Sequence, residues 1–131
     1  MTTTAHIDPS HDQIEALIAA AQSDDSPIVM VNLLAFRAAG GRESYLRYAA
    51  EVQPHLDRVG GTVLFAGDRA QTVIGDEETA WWDAILLVRY PSRSKFLEMV
   101  TDPGYLAIAE YRSNALDTSG LVATTSWLPA G

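Results

Sequence analysis

The segment Ile28–Phe36 constrains the fold most, because eight of its nine residues are apolar. As a β-strand, it would place apolar side chains on both faces, with Asn32 as the single polar residue. The predicted strand over residues 81–90 is similar, with Trp82, Leu86 and Val88 on one side and Ile85 and Leu87 on the other. A half-covered sheet would instead alternate apolar and polar residues. These strands therefore belong to a sheet that is covered on both sides.

The order of the predicted elements defines an α+β fold. Hydrophobic periodicity, caps and breakers predict the elements of the fold. The first half of the chain is predicted to contain a helix over 11–22, a strand over 28–36, a helix over 42–59 and a strand over 62–66 that resumes over 71–74. The second half is predicted to contain a strand over 81–90, helices over 92–100 and from Asp102-Pro103 to Leu116, a turn over 117–120 that ends the last helix, and a strand over 121–127. After the leading helix this is β-α-β-β-α-β, the ferredoxin-like pattern with a four-stranded antiparallel sheet. Residues 1–27 form an arm and an extra helix, and residues 28–131 form the domain itself.

The second apolar face of the sheet predicts a homodimer. In this fold the helices cover one face only. A second copy of the chain, packed sheet against sheet, would cover the other and produce a dimeric barrel.

Composition excludes several classes of protein. The 131 residues carry a net charge of −8 and include no cysteine. This acidic balance argues against nucleic-acid binding and against an anionic membrane surface, and the absence of cysteine excludes thiol chemistry and thiolate metal sites. The sequence has no phosphate loop, no dinucleotide fingerprint and no metal-ligand spacing. We expect a cytoplasmic protein that uses no cofactor and no metal, with a loose arm over residues 1–9.

Asn32 and His55 are two candidate site residues. Asn32 is either an amide bonded to neighbouring backbone or a donor and acceptor for a ligand carbonyl or hydroxyl, because a buried amide needs a partner. His55 follows Pro54 and lies one helical turn after Glu51, a spacing that permits a carboxylate–imidazole pair and acid/base catalysis. The alternative for His55 is a solvated position on the helix.

Asp83, Arg112 and Tyr48 complete the candidate site. Asp83 lies beside Trp82, where aromatic surroundings could raise the pKa of its carboxyl group and make it a base. Pairing with Arg89 is the structural alternative. Arg112 interrupts the apolar side of the last helix and could bind a carboxylate in bidentate fashion, or form an ion pair with an acid such as Glu98 or Glu110. Tyr48 would face the sheet near Asn32.

Several motifs along the chain occur together: Val31-Asn32-Leu33-Leu34-Ala35-Phe36, Tyr45 and Tyr48, Gly60-Gly61, Trp82-Asp83, Arg89-Tyr90-Pro91-Ser92-Arg93 with Phe96 and Met99, and Tyr105, Arg112 and Leu116. In these motifs the sequence resembles a family of small bacterial domains, domain-of-unknown-function family 1330. It implies the dimeric α+β barrel superfamily, which includes cofactor-free monooxygenases, isomerases, haem enzymes and stress-response proteins. Relatives commonly have a pocket between sheet and helices, which corresponds here to Asn32, Tyr48, His55, Asp83 and Arg112.

Two functions follow as hypotheses. The first is a small-molecule-binding protein that performs cofactor-independent acid/base or oxygenase-type chemistry on a small metabolite, with His55 and Asp83 as catalytic residues and Asn32, Tyr48 and Arg112 as binding residues. The second is a non-catalytic ligand-binding or structural homodimer.

Overall fold

The computed structural model describes residues 6–76 and 82–128 of the chain. Within these ranges the elements in chain order are α1 (His11–Ser23), β1 (Ile28–Phe36), α2 (Gly41–Val59), β2 (Thr62–Asp68), β3 (Ala84–Tyr90), α3 (Arg93–Thr101), α4 (Pro103–Ala115) and β4 (Leu116–Thr124). The α+β fold is confirmed, with the extra helix preceding the β-α-β-β-α-β order. No helix in the described ranges is both long and apolar enough to cross a membrane.

The four strands form one antiparallel sheet in the order β2-β3-β1-β4. The apolar strand β1 is therefore central, and Leu34 pairs with Ala84 on one side and with Ser119 on the other. This is the ferredoxin-like topology that the element order predicts. Its edges are β2 and β4.

The last strand differs from the prediction, because β4 begins at Leu116 with no intervening loop. Residues 117–120 have the composition of a turn, yet residues 118–120 pair with β1, and Asp117 lies at a shift in the register. Leu116 is fully buried, and the pairing of this segment with a central strand outweighs its local turn propensity. The predicted strand at 71–74 is also wrong, since those residues form coil and bends. The predicted start of the third strand at Trp81 lies outside the described residues.

The hydrophobic core lies between α2, α4 and one face of the sheet. Ile28, Met30 and Leu34 of β1 supply its floor, and the apolar stripe of α2 packs on them. Helices α2 and α4 approach closely at Gly41, where a Cβ atom would lie 2.6 Å from the carbonyl oxygen of Ala115. A glycine is required at this contact because the backbone atom cannot move aside.

The opposite face of the sheet, here called the open face, is apolar. Register places Phe65, Leu87, Val31 and Val122 in one row that crosses all four strands. The two ends of the row are the most accessible, with Phe65 55% and Val122 50% exposed. The sheet therefore has two apolar faces, and the described helices cover one of them.

The N-terminal segment is fixed against the domain, which corrects the prediction of a loose arm for its described part. His6 and Ile7, here called the strap, lie along the outer edge of β4. The main-chain N–H of Ser119 donates to the His6 carbonyl oxygen at 2.6 Å, and Ile7 packs against the core. Helix α1 packs on α3 and begins with a capping box between Ser10 and Gln13. The division of the chain at residue 27 stays a prediction.

Candidate functional site

Three tyrosines occupy the space between α2, α4 and the sheet. Tyr45 and Tyr48 lie one turn apart on α2, and Tyr105 comes from α4. The hydroxyl oxygens of Tyr48 and Tyr105 are 2.9 Å apart, within hydrogen-bond distance, and their rings meet edge to face. Burial raises the pKa of Tyr45 to about 12 and raises the pKa of Tyr48 well above its usual value. Both phenols are therefore protonated at neutral pH and can donate hydrogen bonds.

Arg112 is a half-buried cation with neutral partners. Its Nη1 donates to the carbonyl oxygen of Ile7 at 2.8 Å, and its Nη2 donates to the hydroxyl of Ser119 at 3.4 Å. Among the described residues no carboxylate lies within ion-pair distance of it. The predicted alternative of an ion pair with Glu98 or Glu110 is therefore wrong. The charge of Arg112 also acts on Tyr45 and Tyr48, where it opposes the rise in pKa that burial causes.

His55 stands at the other end of the tyrosine cluster. Its ring meets that of Tyr105 edge on, with the ring centroids 6.2 Å apart. Its Nδ1 lies 3.1 Å from a guanidinium nitrogen of Arg58. Because a guanidinium only donates, Nδ1 accepts, and the neutral imidazole carries its proton on Nε2. Among the described residues, the carboxylate within ion-pair distance of His55 is that of Asp102, at 4.0 Å from Nδ1, so the predicted pairing with Glu51 is wrong.

Asp102 connects His55 to the start of α4. Its carboxylate accepts from the main-chain N–H groups of Gly104 and Tyr105 at 2.8 and 3.3 Å and lies 3.5 Å from Arg58. The sequence identifies Asp102 as a helix cap because a proline follows it. It gives no sign that this cap meets His55, since that contact depends on the packing of α4 against α2.

Asn32 lies on the same face of the sheet as the tyrosine cluster. Register places it between Leu86 and Leu121, and it is half-buried. Its amide donates to the carbonyl oxygen of Met30 at 3.4 Å, a long bond to neighbouring backbone. Leu121 is 44% exposed, so the helices leave this part of the face partly open.

Asp83 belongs to a second group of residues. One of its carboxylate oxygens accepts from the main-chain N–H of Phe36 at 2.8 Å, and its own N–H donates to Leu34 at 2.7 Å. These bonds extend the pairing of β1 with β3 by one residue. Asp83 lines a cleft of about 320 Å³, together with Phe36, Arg37, Ala38, Arg42 and Glu43. Arg42 pairs there with Asp68 and lies over the ring of Phe36.

The structure thus connects Tyr48, His55 and Arg112 through the residues around α4, with Asn32 on the adjoining face of the sheet. The bonds of Asp83 run to the end of β1 instead. Four residues of the first group are not predicted as site residues from the sequence: Tyr45, Asp102, Tyr105 and Ser119. The composition around Ser119 predicts a turn, Asp102 is recognisable only as a helix cap, and the family resemblance includes Tyr45 and Tyr105 without assigning them to the site.

Solved structures define the class as an α+β protein with a ferredoxin-like fold. The chain is 30% identical to the RPA0582 protein of unknown function from Rhodopseudomonas palustris, with a TM-score of 0.83 over 96% of this chain and 100% of that one. A dabb family protein with a ferredoxin-like fold from Mesorhizobium loti is 11% identical, with a TM-score of 0.53 and coverage of 80% and 98%. The hydroxynitrile lyase of Passiflora edulis is 10% identical, with a TM-score of 0.60 and coverage of 81% and 100%. The last two similarities show the fold alone.

Within this class the family is defined by sequence. The family described as Domain of unknown function (DUF1330) matches residues 36–125, and the chain belongs to it. No curated protein sequence matches the chain.

Proposed function

We propose that the chain is a homodimeric small-molecule-binding protein that binds a small carboxylate at Arg112 and acts on it without a cofactor, by acid/base or oxygenase-type chemistry. The observation that carries the proposal is the half-buried guanidinium of Arg112, whose two bonds run to neutral oxygens. A partly desolvated cation gains most from an anionic partner that accepts two parallel hydrogen bonds. A carboxylate fits that requirement.

The residues around Arg112 would orient such a ligand. Tyrosine phenols are protonated at neutral pH, and burial raises the pKa of Tyr45 and of Tyr48 further, so both can donate to a carbonyl or carboxylate oxygen. Asn32 offers both a donor and an acceptor from the adjoining face of β1, because its single bond to backbone is long. A protonated phenol and an amide can hold a polar ligand without adding charge to the core.

His55 is the proposed acid/base group. With Nδ1 accepting from Arg58, the neutral ring can donate a hydrogen bond from Nε2 to a ligand atom. It becomes a proton donor when Nδ1 takes up a proton in place of the Arg58 bond. Asp102 lies near enough to stabilise the imidazolium form. Asp83 is the second proposed catalytic residue, and it lies at the cleft beside Arg42. A solved structure with this fold is that of a hydroxynitrile lyase, so the fold is compatible with catalysis, although the fold alone does not select a reaction.

The proposed homodimer follows from the open face. Its central row of Phe65, Leu87, Val31 and Val122 presents an apolar strip across all four strands. Among the described strand residues that the register places on this face, Arg89 is basic and none is acidic. Two chains that each carry a net charge of −8 can therefore meet here without opposing carboxylates, and sheet-on-sheet packing would cover the apolar strip.

A non-catalytic dimer is the second candidate, and the bonding of the polar residues favours it. The hydroxyls of Tyr48 and Tyr105 satisfy each other, and the carboxylate of Asp83 is bonded to the main chain. Both arrangements stabilise the fold by themselves. In this case Arg112 would still bind a carboxylate, and His55 would have no chemical role.

Thermal-shift titration with a panel of small aliphatic and aromatic carboxylates, each paired with its neutral amide, tests the binding proposal. We expect some acids, and none of the amides, to raise the melting temperature of the wild type. Arg112→Gln should abolish the shift. Arg47→Gln, which removes an exposed arginine stacked on Tyr111, is the matched control and should retain it. Shifts that survive in Arg112→Gln would overturn the proposal.

His55→Gln separates the two candidates once a binding acid is known. For an enzyme, turnover should fall while binding is kept, because Gln retains hydrogen bonding and loses proton transfer. If no turnover of any bound acid is seen in the wild type, the non-catalytic candidate stands.

A further inference from the structure

The strap makes a set of bonds that converge on the proposed binding site. The His6 carbonyl oxygen accepts from the main-chain N–H of Ser119 at 2.6 Å and from its hydroxyl at 2.7 Å. The His6 N–H donates to the hydroxyl of Thr118 at 3.1 Å. The Ile7 carbonyl oxygen then accepts from Arg112 at 2.8 Å. The strap thus supplies an oxygen to the guanidinium on which the proposed function rests.

Ile7 also supplies an apolar group at the same place. Its side chain is partly buried and packs against the core cluster that contains Tyr45 and Tyr48. One residue therefore combines a branched aliphatic group with an oxygen held by Arg112. A short branched carboxylic acid has the same two parts, a branched aliphatic chain and an oxygen that can accept from Arg112.

We propose that the strap is a built-in occupant of the Arg112 site, and that the ligand is a short branched aliphatic carboxylate that displaces Ile7. The proposal rests on the proposed function, since it assumes that Arg112 binds a carboxylate. The two carboxylate oxygens would accept from Nη1 and Nη2, replacing one carbonyl oxygen and one long contact to Ser119. An anion is the stronger acceptor for both N–H groups.

Displacement of the strap makes the ligand's apparent affinity depend on how often the strap is open. A site that is competent for only part of the time binds with an affinity reduced by that fraction. A substitution that weakens the strap and leaves Arg112 intact should therefore tighten binding. Ile7→Ala is such a change, because it removes the anchoring side chain and keeps the backbone.

The probe is 3-methylpentanoate, the acid that isoleucine becomes when its amino group is replaced by hydrogen, and 3-methylpentanamide is its neutral control. In the full-length wild-type chain, we expect the acid to accelerate hydrogen exchange of the Ser119 amide, which is bonded to His6. The amide should leave this exchange unchanged. The measurement is made on the wild type, so it does not depend on the folding of any variant.

Calorimetric titration supplies the second measurement. Ile7→Ala should raise the affinity for the acid roughly tenfold. Ile18→Ala, which shortens an exposed side chain on α1, is the matched control and should leave the affinity unchanged. Arg112→Lys should weaken binding in both the wild-type and the Ile7→Ala chain, because lysine cannot form two parallel bonds to a carboxylate.

The outcomes separate this proposal from the one on which it rests. If the acid binds through Arg112 while Ser119 exchange and the Ile7→Ala affinity stay unchanged, the strap is only a cover for the β4 edge and this inference is overturned, with the proposed function intact. If straight-chain or aromatic acids bind and 3-methylpentanoate does not, the ligand class is wrong. If no carboxylate binds to either chain, both proposals fail.

Discussion

Removing one hydroxyl from the pair Tyr48–Tyr105 should cost more than removing both. The two hydroxyl oxygens lie 2.9 Å apart, and each residue is 8% exposed, so neither hydroxyl has ready access to water. Tyr48→Phe or Tyr105→Phe keeps the ring and leaves the other hydroxyl without its hydrogen-bond partner. A stranded buried hydroxyl costs about 1–3 kcal/mol. The double replacement leaves no unpaired hydroxyl and loses only the net contribution of one hydrogen bond, about 1 kcal/mol.

The sum of the two single costs, about 2–6 kcal/mol, should therefore exceed the cost of the double variant by a coupling energy of about 1–5 kcal/mol. Urea unfolding followed by far-ultraviolet circular dichroism, at one fixed chain concentration, measures all four free energies of unfolding. Tyr111→Phe, at a half-buried ring that stacks on Arg47, is the control and should change stability by less than about 0.5 kcal/mol. Additive costs for the two single variants would refute the bonded pair.

Three further predictions concern the core, alkaline pH and the open face. Gly41→Ala should destabilise the fold by about 1–3 kcal/mol, because the new Cβ atom meets the backbone oxygen of Ala115 at 2.6 Å. Gly40→Ala is the comparison for backbone strain: its φ is +75°, but no atom lies within 4 Å of the added Cβ, so it carries the strain without the clash. Burial raises the pKa of Tyr45 from 10.0 to about 12, so in that window only the unfolded chain ionises at this residue. The stability that is present below pH 10 should fall as pH rises through the window, by up to about 1.4 kcal/mol per pH unit, and Tyr45→Phe should flatten the decline in urea unfolding free energies. Leu87→Asp should convert a dimer to a monomer in sedimentation at micromolar concentration, and a wild type that sediments as a monomer would contradict the proposed interface.

The sheet could be predicted closely where local pattern and tertiary pairing agree. The ends of β1 match the prediction because a continuous apolar run bounded by Pro27 and by the loop after Phe36 suits a central strand. The prediction failed at β4, where residues 117–120 read as a turn. Their neighbours decide the outcome: Ser119 pairs with Leu34, and backbone groups beside a central strand are best satisfied by the ladder.

The candidate site was predicted by residue type and only partly by partner. The periodicity of α2 places Tyr48 on its buried stripe, and His55 is recognisable from its residue type as a candidate acid/base group. Which carboxylate meets His55 depends on the packing of α4 against α2, which brings Asp102 close and leaves Glu51 apart. The carbonyl oxygen that Arg112 bonds is more remote in sequence still, since it belongs to Ile7, 105 positions earlier in the chain.

The sequence by itself determined the element order, the central apolar strand and the two-faced sheet, because these depend on periodicities of two and 3.6 residues that are written locally in the chain. Tertiary structure decided which polar groups meet. It joined the Tyr48 and Tyr105 hydroxyls, set Asp83 on the end of β1, and placed the carbonyl oxygen of Ile7 on Arg112. Hydrogen bonds of this kind act over about 3 Å and join residues far apart in the chain, so local pattern carries no record of them until the helices and strands have packed.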